Sequence, residues 1–196
     1  MSSVYFAPIV EGHGEQEALP ILLRRLCGEI RPDLWADINP PIRVKSANFI
    51  NDPDYFYKYL SMAANKARQA GNGAVLILLD CEDDCPKELG PRLLSQARKL
   101  RPDVRIIVVL AYREFETWFL ASVNSLVQCG LLPNGNKAPN NPEGIRDAKG
   151  WLKERRSYKE TDDQPTFTAR FSFDEASSIS SFRYLRRKIE EILLAT

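Results

Sequence analysis

The chain reads as an α/β domain with a mainly parallel central sheet and helices on both faces. Short apolar runs rich in β-branched residues alternate with helical patterns, as in βα units whose strands must pair in parallel. The run Ala74-Val-Leu-Ile-Leu-Leu79 is uninterrupted, the mark of a central strand buried on both faces. Three of the strand signals also end in acidic residues, and in a parallel sheet those ends share one edge.

The elements follow in order. Val4 to Val10 is a strand closed by Glu11, and Gly12-His13-Gly14 turns into a helix that opens at Glu15 and carries Leu19, Leu22, Leu23 and Leu26 on one face. Glu29 to Pro41 is proline-rich and reads as a loop crossing over the sheet, and Ile42 to Ala47 alternates like a half-buried strand. A helix is predicted from Asp52 to Ala70, with Asp52 as N-cap, Pro53 at the first position and Gly71-Asn72-Gly73 as the stop. Its Tyr55, Phe56 and Tyr59 read as core packing. The strand over residues 74–79 ends in Asp80-Cys-Glu-Asp-Asp84, a helix runs from Pro86 to Leu100, and a strand from Val104 to Leu110 leads to Arg113-Glu-Phe-Glu116 and a helical Thr117–Ala121. Gly130 to Gly150 is rich in Pro, Asn and Gly and reads as a long ordered loop or a mobile lid. Ile145 to Arg156 reads as a short basic helix carrying Arg146, Lys149, Lys153, Arg155 and Arg156, followed by Lys159 and a polar segment of Asp162, Asp163 and Gln164. The last helix, Ser180 to Leu194, buries Phe182, Leu185, Ile189, Ile192 and Leu193 and leaves Arg183, Arg186, Arg187 and Lys188 as a solvated face. No internal repeat or second-domain boundary is visible.

Composition narrows the function classes. With 196 residues, 44% hydrophobic and 27% charged, this is an ordinary soluble globular chain long enough for one sizeable core. No run reaches the roughly 18 apolar residues of a membrane span, and the start lacks a basic stretch followed by an apolar one, so a cytoplasmic protein without a membrane partner is expected. The four cysteines form no CxxC pair and His13 is the single histidine, which argues for reduced thiols and against a zinc site. Lys plus Arg (27) nearly equals Asp plus Glu (26), so a nucleic-acid role has to rest on local patches.

The acids at the strand ends carry the chemistry. Glu15 and Glu17 are favoured in a first helical turn by the macrodipole and need no further reason. Glu11 is not explained that way, because it closes an apolar strand. The glycine loop lacks a Gly-Lys-Ser/Thr ending, and its carboxylates repel a phosphate unless a cation lies between, so a divalent metal is implied first. Asp80, Glu82, Asp83 and Asp84 crowd together after the most buried strand. Carboxylates so placed raise one another's pKa unless neutralised, and Mg²⁺ suits their hard oxygens.

With Glu11-Gly12 and Glu15 after the first strand and Asp80-x-Glu82 after the central one, the chain resembles the Toprim fold of topoisomerases, bacterial primases and OLD-type nucleases. Val10-Glu-Gly-x-x-Glu15 and Arg113-Glu-Phe-Glu-Thr-Trp118 look most like a Toprim-like group related to OLD nucleases and often encoded beside an ATPase. The resemblance spans about residues 4–120. It implies a Rossmann-like three-layer fold, with residues 1–125 as the core and 126–196 completing the same domain. It also implies metal ligation by Glu11, Glu15, Asp80, Glu82 and Glu114, with Asp83, Asp84 and Glu116 as further candidates. Glu82 stands where the family has a second Asp. Glu11 and Asp80 would be catalytic, together with a late lysine, Lys159 or alternatively Lys153. The implied activity is a Mg²⁺-dependent nuclease, or related phosphoryl transfer, on nucleic acid, with Mn²⁺ as substitute and a separately encoded ATPase as partner. The alternatives are a non-catalytic module binding protein or nucleic acid, and a phosphatase with Asp80 as nucleophile.

Overall fold

The computed structural model describes residues 3–82 and 84–196, and its sheet is organised around β1 (Ser3–Val10) and β4 (Gly73–Asp80), which pair in parallel. Side chains of β1 divide by parity. Val4, Phe6 and Val10 enter one hydrophobic core, and Ala7 and Ile9 enter the other on the opposite face. The buried face of α1 (His13–Ile30) supplies Leu19, Leu22, Leu23 and Leu26 to the first of these cores.

The crossover after α1 is not all loop. It contains β2 (Trp35–Ile38), while the strand expected from Ile42 to Ala47 shrinks to β3 (Ile42–Arg43), and Ser46 already opens α2 (Ser46–Asn51). Both β2 and β3 pair with β1, separated by Asn39-Pro40-Pro41, whose prolines offer no amide to a ladder. β1 matches this break. The Phe6 and Val10 carbonyls accept from the Asn39 and Val44 amides, so Pro8, of the same parity, turns its nitrogen to the gap between β2 and β3. A missing N–H there leaves no partner unsatisfied.

α3 (Pro53–Gln69) is capped as expected, with Asp52 Oδ1 accepting from the Asp54 and Tyr55 amides. After β4 come α4 (Pro86–Leu100) and β5 (Arg105–Ala111), giving the parallel order β2-β1-β4-β5, with β3 also on β1. The helices α2, α3 and α4 bury Phe49, Phe56, Leu60, Leu89 and Leu93 on one face. On the other face α1 packs with the C-terminal third: α5 (Thr117–Ala121), α6 (Val123–Gln128), α7 (Ala148–Arg155), α8 (Glu160–Thr168), α9 (Phe173–Ala176) and α10 (Ser180–Leu194).

Edge-to-face rings join the helices of that third to one another. Trp118 meets Phe182 at 5.4 Å between centroids, and Phe119 meets Phe167 at the same separation. The polar segment expected at residues 162–164 is helix: Asp162 and Asp163 lie in the first turn of α8, where acids are favoured, and Gln164, Phe167 and Thr168 are buried. Among the described residues no helix is long and apolar enough to cross a membrane. All four cysteines are free.

Candidate functional site

Because the strands run in parallel, β1, β4 and β5 deliver Glu11, Asp80 and Arg113–Glu116 to one edge of the sheet. Asp80 is central and only slightly exposed, and its Oδ1 accepts from the Phe115 amide at 2.9 Å. Different chemistry lies on its two sides.

On one side stands Lys149. Its Nζ lies 3.9 Å from Asp80 Oδ2, 3.9 Å from Glu116 Oε2 and 3.4 Å from Glu160 Oε2. Lys149 is the second residue of α7, where the helix dipole disfavours a cation, so the carboxylates offset both burial and dipole. Glu114 meets Lys149 through the backbone as well: its Oε2 accepts from the Lys149 amide at 3.0 Å and so holds the start of α7 in place. Glu116 is completely buried, and its Oε1 accepts from Tyr158 Oη at 3.0 Å and Gln164 Nε2 at 3.2 Å. Glu160 reaches back to α1, where its Oε1 accepts from the Gly14 amide at 3.4 Å. A Cβ at Gly14 would stand 2.7 Å from the Glu160 carbonyl oxygen, so this glycine serves the close approach of α8 to α1.

On the other side is an open cleft of about 270 Å³, bordered by Ser46, Asn51, Asp80, Glu82, Asp84 and Arg92. Glu11 Oε1 accepts from Ser46 Oγ at 2.5 Å, while its Oε2 is buried and has no hydrogen-bond partner among the described residues. Glu82 and Arg113 both adopt left-handed backbone (φ 47° and 64°), and the Glu82 amide donates to the Arg113 carbonyl at 3.0 Å. Two such residues cost of order 1–3 kcal/mol each, and their pairing at the ends of β4 and β5 places the strain at the acidic edge. Glu15 is spent differently: its Oε2 accepts from the Glu11 and Gly12 amides at 3.1 and 2.9 Å, closing the first turn of α1.

The electrostatics follow from burial first. Burial pushes Glu15 up to about 7 against the Gly12 and Glu11 amides and Lys149. It pushes Glu116 up to about 8 although Lys149 opposes the shift. Asp80 is held well above the usual carboxylate range by burial, then by Glu15 and Glu116. Glu11 and Glu114 are raised as well, again chiefly by burial. Mutual repulsion, the cause expected from the sequence, ranks second to desolvation. Burial alone would lower the Lys149 pKa, yet Glu116, Asp80, Glu160 and Glu114 together raise it, so its ammonium is charged at neutral pH.

The expected ligand set is therefore divided. Glu82 borders the cleft and Glu11 adjoins it through Ser46, Glu114 and Glu116 lie with Lys149, and Asp80 touches both. Among the described residues no three His, Cys, Asp or Glu side chains converge on a point where they would hold one metal ion. Asp83 lies outside the described residues, and Asp84 is exposed at the cleft margin. Lys159 is the exposed N-cap residue of α8, and Lys153 is exposed on α7. The lysine beside the acids is Lys149, together with Ser46, Tyr158, Glu160 and Gln164 as partners that strand-end reasoning did not reach. A sequence signal for Lys149 existed: Asp147-Ala-Lys-Gly150 is an N-cap followed by a cation in a first turn.

No curated protein and no solved structure matches the chain. Residues 10–190 match the family described as "Domain of unknown function (DUF4276)", a span that takes in every strand end, Lys149 and most of α10, and the chain belongs to that family.

Proposed function

We propose that the chain is a Toprim-like, Mg²⁺-dependent nuclease, or a related phosphoryl-transfer enzyme, that acts on nucleic-acid phosphodiesters in the cytoplasm with a separately encoded ATPase. The observation that carries this reading is the buried Glu11 Oε2, without a hydrogen-bond partner among the described residues, on a carboxylate that Ser46 ties to the cleft bordered by Asp80 and Glu82. A buried carboxylate oxygen without a donor is costly, and a hard cation is the partner that removes the cost. Mg²⁺ commonly uses only one or two carboxylates and keeps waters and substrate phosphates for its other positions, so a divided acid set suits it better than an all-protein cage. Glu11 and Asp80 would be its direct ligands in this reading, and Glu82 would act through the ion's waters. When bound, the ion polarises the phosphate and makes bound water a better nucleophile.

The protein's own groups do the remainder. Phe115 N–H fixes one Asp80 oxygen, and Ser46 Oγ fixes one Glu11 oxygen, which orients the other oxygen of each. Lys149, charged and held by Asp80, Glu116 and Glu160, offsets negative charge that develops on the phosphate or leaving oxygen. We assign the late-lysine role to Lys149 in place of Lys159. Glu114 positions that lysine through its backbone amide, and Glu15 braces the turn that carries Glu11.

The test is cleavage of supercoiled plasmid and of single-stranded RNA in Mg²⁺ or Mn²⁺, with and without the ATPase, against a chelator control. Wild type is expected to cut at least one substrate and Asp80→Asn to cut neither. Equal rates for the two proteins overturn the reading. One observation favours the alternative of a non-catalytic binding module: Lys149 itself compensates Asp80, Glu116 and Glu160. That module binds nucleic acid or a protein, shows no Mn²⁺-dependent thermal shift and leaves every substrate intact.

A further inference from the structure

The cleft beside Asp80 carries both signs of charge. α2 provides Ser46 and Asn51, the end of β4 provides Asp80, Glu82 and Asp84, and α4 provides Arg92. Arg92 is exposed and, among the described residues, forms no ion pair, although three acids border the same cleft. Some surface cations do pair with a neighbouring acid, Arg186 with Glu29 and Lys188 with Glu191, each at 2.5 Å. At about 270 Å³ the cleft is smaller than the roughly 300–1,000 Å³ of sites that enclose a small molecule. It has room for one unit of a longer chain, not for a whole ligand. A guanidinium with its donors unspent is suited to a phosphate, which it grips through two parallel hydrogen bonds.

We infer that Arg92 binds a backbone phosphate of the substrate next to the one presented to Glu11 and Asp80, and that a single polynucleotide strand lies along the cleft between α2 and α4. This rests on the nuclease reading above and adds to it the form of the substrate and the side from which it enters. Lys149 occupies the opposite flank of Asp80, so the strand is clamped between two cations with the acids in the middle.

The experiment is fluorescence anisotropy of a labelled single-stranded oligonucleotide with Ca²⁺ in place of Mg²⁺, over a range of salt concentrations. Arg92→Ala is expected to weaken binding at every salt and to make the plot of log affinity against log salt shallower by about 0.7, the value for one lost contact to a single strand. Arg92→Lys keeps the charge and is expected to keep the wild-type slope at lower affinity. Arg98→Ala, an exposed arginine further along α4 that borders a different groove, is expected to leave binding unchanged. If Arg92→Ala binds with the wild-type slope, the inference is overturned and the nuclease reading stands. If wild type neither binds nor cuts any polynucleotide, both fall.

Discussion

Replacing Glu116 by Gln should change how stability depends on pH more than it changes stability in acid. Glu116 is fully buried, and burial raises its carboxyl from near 4.5 to about 8. Below pH 4.5 the folded and unfolded chains both hold its proton. From there to pH 8 the unfolded chain releases it while the folded chain keeps it, so the wild type loses stability as pH rises and levels off above 8. At about 1.4 kcal/mol for each pH step, the loss reaches up to about 5 kcal/mol. Glutamine carries no such proton, and its carbonyl can still accept from Tyr158 Oη and Gln164 Nε2. Glu116→Gln should therefore resemble wild type near pH 4 and gain on it steadily toward pH 8. Glu15, raised to about 7, and Asp80 act with the same sign and remain in the variant, so a residual slope persists. The raised pKa of Lys149 adds stability that is lost only above its ordinary value of 10.5, outside this window. Urea unfolding at half-unit pH intervals gives the difference directly. A wild-type-to-variant difference that is the same at pH 4.5 and pH 8 refutes a buried, proton-holding Glu116.

Four further outcomes follow. Mn²⁺ or Mg²⁺ should raise the melting temperature of wild type, and Asp80→Asn should remove most of that shift, since only preferential binding to the folded state produces it; equal shifts point to general ionic effects. In chelator, Glu11→Gln should be no less stable than wild type, because it removes a raised carboxylate, while cleavage falls by orders of magnitude. Lys149→Met should lower turnover at saturating substrate, whereas Lys159→Ala should at most raise the apparent binding constant; the reverse pattern returns the catalytic role to Lys159. Gly14→Ala should destabilise by roughly 1–3 kcal/mol in urea, since its methyl meets the Glu160 carbonyl, and a neutral result would show that α8 yields easily.

The elements that could be read from the sequence are those whose pattern and packing agree. β4 is buried on both faces and its apolar run says so; α3 has its Asp52 cap and Pro53, and α10 has a full apolar stripe. β2 escaped because a four-residue strand with exposed Trp35 and prolines close behind carries the composition of a loop, and pairing with β1 is what makes it a strand. α8 escaped for a related reason. Its one buried polar side chain of consequence, Gln164, faces Glu116, forty-eight positions away, so its amphipathic face is polar on both sides until that partner is known.

The same distinction divides the site. Glu11 and Asp80 are legible because a carboxylate at the end of an apolar strand is out of place without a function, and the parallel topology then brings them to one edge. Lys149 is out of place as well, in the first turn of a helix whose dipole opposes it, but that mismatch appears only once the helix is known to begin at Ala148. Reading the helix from Ile145 moves Lys149 a full turn inward and turns it into one basic residue among several. The start at Ala148 is set by the Asp147 cap, whose Oδ1 accepts from the Gly150 amide, and by the Glu114 carboxylate on the Lys149 amide. One of those two determinants is local and the other comes from the end of β5. A cation placed against its own helix dipole by a carboxylate from another strand has to be compensated by further oxygens, and those of Asp80, Glu116 and Glu160 surround it, Glu116 contributing its charge only once it releases its proton. Glu114 and Lys149 thus act as one device, and a substitution at either should be felt first in the position of the ammonium.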